Sequence, residues 1–70
     1  MIHHATLVID NDELTHWVSL DGDNWLPINR APVEGEEDMI QRIFDGDGKM
    51  MPMRAARRFL EHHGANFITP

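Results

Sequence analysis

The spacing of hydrophobic and polar positions changes once along the chain, near Glu34. Before it, Leu7 to Ile9, then Trp17, Val18 and Leu20, then Trp25, Leu26 and Ile28 form β-favouring clusters. They are separated by Asp10-Asn11-Asp12-Glu13 and Asp21-Gly22-Asp23-Asn24, and apolar clusters bounded by turn residues read as strands. After it, Met39, Ile40, Ile43 and Phe44 fall on one stripe of a helix over roughly residues 35–45. Glu36, Glu37 and Asp38 sit in its first turn, where negative charge meets the positive end of the helix dipole. Asp45-Gly46-Asp47-Gly48 closes that helix, with Gly46 suited to a left-handed position. A second helix is expected to begin near Pro52, to bury Met53, Ala56, Phe59, Leu60 and His63, and to stop at Gly64. Ala65 to Thr69 reads as a returning strand.

This order, β-β-β-α-α-β, predicts an α+β fold: a small antiparallel sheet of three to four strands with two helices packed on one face. A two-residue turn at Asn11-Asp12 would set Asp10 opposite Glu13 and Leu7 opposite His16. The core face would then carry Ala5, Leu7, Ile9, Leu14, His16 and Val18, with Thr6, Val8, Thr15 and Trp17 on the other. Asp10 against Glu13 is a like-charge pair, so a looser four-residue loop is an equal alternative. A second hairpin is expected around Asp21-Gly22, and Pro27 and Pro32 put the third strand at a sheet edge, because proline donates no ladder bond.

Length limits the rest: 70 residues make one domain, 1–70, with a core too small for wide stability margins. There is no cysteine, which excludes disulfides, a thiol nucleophile and thiolate metal sites. Hydrophobic residues make up 41% and mean hydropathy is -0.42, values of a chain that folds in water. The run Ala5 to Ile9 is too short for a signal h-region or a membrane span and no Lys or Arg precedes it, so a cytoplasmic location and no membrane contact are expected.

The formal charge of -6 is unevenly placed. Residues 1–38 hold nine acids and one base, a net of -8, whereas residues 39–70 hold three acids and five bases, a net of +2. Such a field attracts basic surfaces and can imitate a phosphate backbone, although Asp in turns and Glu in a first helical turn also have local explanations. Asp21, Asp23, Glu34, Glu36, Glu37 and Asp38 are the acidic candidates for partner binding, with Trp17 and Trp25 as apolar anchors if Trp17 lies opposite the core. With a register off by one, Trp17 is in the core instead.

Lys49, Arg54, Arg57 and Arg58 could grip phosphates, though the acidic chain as a whole repels nucleic acid and a solvated or ion-paired face explains them better. Asp45-Gly46-Asp47-Gly48 fails as a calcium loop, because Ile43 and Arg54 would fall on its first and last ligand positions. Five histidines, at His3, His4, His16, His62 and His63, show no metal-ligand spacing, which leaves no metal or cofactor to expect and pH sensitivity around 6–7 as their secondary role. The hydroxyls Thr6, Thr15, Ser19 and Thr69 form no nucleophile motif, so no enzyme is expected. The expectation is a small acidic protein–protein interaction domain that modulates or inhibits a larger machine, one version being an inhibitor whose carboxylates occupy a basic nucleic-acid groove, analogous in class to small acidic phage and mobile-element inhibitors. Its partner carries a basic surface, and an exposed sheet face would also suit a second copy. The alternative is a nucleic-acid-binding regulator using the basic face of the second helix.

Overall fold

Two seven-residue strands, β1 (His3–Ile9) and β2 (Glu13–Ser19), form an antiparallel hairpin in the computed structural model, which describes residues 1–10, 12–46 and 51–68. β3 (Leu26–Ile28) joins β2 and β4 (Asn66–Ile68) joins β1, giving a four-stranded antiparallel sheet in the order β3-β2-β1-β4. Between β3 and β4 come the helices α1 (Glu37–Phe44) and α2 (Arg57–His62). The fold is α+β in the order that the pattern predicts.

The register differs by one residue from the two-residue turn. Ile9 pairs with Glu13, Leu7 with Thr15 and Ala5 with Trp17, so positions 10–12 make the connection. Asp10 and Asp12 take positive φ of 28° and 66°, which aspartate tolerates better than most residues. This spares the like-charge pair of Asp10 and Glu13 and moves Trp17 onto the face of Ala5 and Leu7. Burying an indole of some 150–250 Å² favours that register by about 4–6 kcal/mol.

The helices do not share a face of the sheet. Ala5, Leu7, Trp17 and Trp25 pack with Ala56 and Leu60, which puts α2 on one side. Val18 and Leu26 pack with Ile40, and Ile28, Ile43 and Phe44 close around them, which puts α1 on the other. The register explains the division, because consecutive residues such as Trp17 and Val18 are both large and apolar and neither face can be left open. The chain crosses between faces at the β3 edge. There Met53 exchanges two backbone hydrogen bonds with Trp25, of 3.0 and 3.2 Å. Since the backbone N–H and C=O of Trp25 face away from β2, the N and C=O of Pro27, two residues on, do so too, and its missing N–H falls where the sheet needs none.

α1 lies within the expected span, and Gly46 adopts φ 93° after it. α2 starts later than Pro52, because Met53 is held in extended pairing and Ala55 has φ 54°, a left-handed value no helix continues through. It ends at Gly64 in a full Schellman arrangement: Gly64 N–H donates to Glu61 O at 3.1 Å and Ala65 N–H to Leu60 O at 2.9 Å. No helix among the described residues is long and apolar enough to cross a membrane.

Candidate interaction surface

The two tryptophans are interior. Trp25 is 1% exposed, its Nε1–H donates to Gly22 O at 3.0 Å, and Phe67 meets it edge-on at 5.3 Å. Trp17 is 7% exposed, beneath Phe59 at 6.3 Å, and its Nε1–H has no acceptor among the described residues. The indoles are therefore core pieces of the α2 face and not surface anchors.

Asp21 is committed to its own loop. The hairpin expected at Asp21-Gly22 is a longer connection from Ser19 to Trp25, knotted on that carboxylate. Asp21 Oδ1 accepts from Ser19 Oγ at 3.0 Å and from the backbone N–H groups of Asp23 and Asn24 at 2.8 Å, while Oδ2 accepts from Asn24 Nδ2 at 2.8 Å. These donors, the Asn24 N–H foremost, hold its pKa down at about 2 against partial burial, which pushes the other way. Asn24 Oδ1 then accepts from Ala55 N–H at 3.0 Å and fastens the crossover segment. Asp23 is exposed beside this knot.

At the entry to α1, Glu36 is gripped by both Arg30 Nη groups, and its Oε1 also accepts from Val33 N–H at 2.8 Å. The Arg30 guanidinium is the main reason its pKa falls to about 2. Glu37 Oε1 accepts from Gly35 N–H at 3.1 Å, and Glu34 and Asp38 are exposed. Of the basic candidates, Arg57 is held by Glu61 at 2.9 Å and lies over the Phe67 ring at 4.5 Å, whereas Arg54 and Arg58 are exposed. Lys49 lies outside the described residues, as do Asn11 of the expected turn and Asp47 and Gly48 of the rejected calcium loop. Neither ion pair among the described residues joins the acidic half to the basic half, so the charge polarity is not cancelled internally by such pairs.

What the fold does bring to the surface is the end of the β1–β2 hairpin. Val8 and Leu14 are direct cross-strand partners on the α1 face and are 57% and 50% exposed. β3 pairs only with residues 16–18, so residues 13–15 of β2 are paired with β1 alone and have no strand on their other edge. A cleft of about 690 Å³ runs there, between Leu14, Ile28, Met39 and Ile43. Glu13 and Arg30 also line it, Asp10 and Asp12 are exposed at the adjoining hairpin end, and none of the three acids forms an ion pair among the described residues. Leu14 and Met39 had been expected inside the protein. Alternation along β2 would have revealed Leu14 only with the register known, and nothing in the local pattern of α1 distinguishes Met39 from its buried neighbour Ile40.

The histidines do not gather into a metal centre: no group of three or more His, Asp or Glu among the described residues could hold an ion. His4 and His16 do meet, with Nε2 and Nδ1 3.1 Å apart and the rings stacked at 5.3 Å. Searches of protein-family models, curated proteins and solved structures find no match to this chain.

Proposed function

We propose that this chain is a small, non-enzymatic protein-interaction domain that modulates or inhibits a larger machine through the end of its β1–β2 hairpin. The observation that carries this reading is the exposed Val8–Leu14 pair at the hairpin end, with Leu14 lining an adjoining cleft and Asp10, Asp12 and Glu13 exposed in the same end of the hairpin. An apolar centre with a polar rim is the anatomy of a protein interface. The hairpin end carries three acids without an ion pair among the described residues, Arg30 in the cleft lining is already held by Glu36, and the acidic half keeps its excess charge. The complementary partner therefore offers an apolar projection flanked by Lys or Arg. A second copy of the chain would set the same acids against each other in a two-fold contact, which disfavours self-association through this face. A groove that normally handles nucleic acid has the required basic flank.

The test is quantitative affinity capture followed by identification of the captured protein. A partner with a basic face is expected to bind wild type and the control R58Q, and to be lost with L14R. The triple change of Asp10 and Asp12 to Asn and Glu13 to Gln should weaken capture, most of all at low salt. Undiminished capture by both hairpin variants would remove this face from the reading. Fluorescence titration with nucleic acid at about 50 mM salt is expected to show no binding, and binding abolished by R54Q together with R58Q would favour the regulator alternative.

A further inference from the structure

We propose that His4 and His16 form a proton-operated latch across β1 and β2, closed while the pair holds at most one extra proton and opened by the second. The inference concerns the same sheet face as the interaction reading but does not rest on it, because its test needs no partner.

The geometry makes the two rings one titrating unit. His4 Nε2 and His16 Nδ1 are 3.1 Å apart, and the ring planes are inclined by 24°. One proton fits between facing nitrogens: with each ring in its Nδ1–H tautomer, His16 Nδ1–H donates and His4 Nε2 accepts. A first added proton goes to the outer nitrogen of His16, Nε2, and leaves this bridge intact, now charge-assisted. A second puts N–H groups on both facing nitrogens and two positive charges on stacked rings, so the contact cannot persist. Burial, and then the charge on His16, already lower the His4 pKa.

The surroundings decide where the latch opens. Across the strands the pair faces Thr6, Val18, Ile28 and Ile68, which carry no charge. From the α1 side, Glu34 and Glu37 line a cleft of about 510 Å³ with His4, and Met1 lines it too. A doubly protonated pair is therefore expected to separate by swinging His4 toward those carboxylates, while the backbone ladder of β1 and β2 stays paired.

The experiment is a series of imidazole ¹⁵N–¹H correlation spectra of the whole chain from about pH 8 to 4.5, on wild type and H16Q. In wild type His4 is expected to take up its proton below the ordinary histidine midpoint of about 6.5, and in H16Q its proton affinity should rise by about threefold or more. A His4 midpoint unchanged by H16Q would overturn the latch. If H16Q does not fold, wild type alone decides: a nitrogen–nitrogen coupling through the hydrogen bond is expected at pH 8 and is lost in acid. Its absence at pH 8, or its persistence once both rings are protonated, would overturn the proposal.

Discussion

Asp21 collects four donors from within three residues of itself, which makes it the keystone of the β2–β3 connection. Replacing it with Ala would leave two backbone N–H groups and the Ser19 hydroxyl short of their acceptor. Asp21→Ala is expected to lower stability by about 1–2 kcal/mol in urea unfolding, and Asp21→Asn by less, since one side-chain oxygen remains. The carboxylate also predicts a pH dependence. Its folded pKa of about 2 lies below its ordinary 3.8, so the unfolded chain takes up the proton first. The stabilisation is present above about pH 4 and is lost as pH falls toward 2. Asp21→Ala should therefore flatten the acid side of the stability profile, and an unchanged profile would show that the knot contributes nothing. Residue chemistry marked this aspartate as a turn former and as part of the acidic half. That its own loop takes up the charge depends on the backbone path from Ser19 to Asn24, which composition does not contain.

At the level of elements, strand identity, the edge position of β3 and the helix-ending glycines were all legible, because turn residues, Pro27, Gly46 and Gly64 act locally. Pairing register was not. Residues 10–13 can close a loop of two, three or four residues at similar local cost, and the choice is made by burial of Trp17 some five positions away. The same non-local cause displaced the start of α2. Pro52 is a good first helical residue, but Met53 is claimed by the edge of β3 and Ala55 turns left-handed to let the chain round the sheet. An alanine at φ 54° is strained, and glycine is not. Its N–H bond to Asn24 Oδ1 involves only the backbone at position 55 and survives the change. Ala55→Gly is accordingly expected to stabilise the protein by about 0.5–1 kcal/mol, raising Tm by several degrees. A loss of stability would mean that the crossover does not hold this conformation.

Across the whole molecule, one thin sheet serves two small half-cores. The α2 face buries both tryptophans with Leu60, and the α1 face buries Ile40 with Val18 and Leu26. At about 0.05–0.15 kcal/mol per residue the chain has only about 4–10 kcal/mol in all, too little for either face to be sacrificed. Trp17 and Val18 are adjacent on one strand, so losing α1 uncovers the strand that holds the opposite core together. Leu60→Ala and Ile40→Ala are each expected to cost about 2–4 kcal/mol, a large part of the total. The second substitution is the sharper test of how the molecule holds together. Ile40 belongs to the cluster without tryptophan, so tryptophan emission reports the far side of the sheet. If the sheet couples the faces, Ile40→Ala should lower the urea midpoint by emission as much as by far-ultraviolet circular dichroism, in one coincident transition. An emission midpoint that stays at the wild-type value while the dichroism midpoint falls would show two independent half-domains. In that case the hairpin end beside α1 could rearrange on a partner without disturbing the tryptophan core.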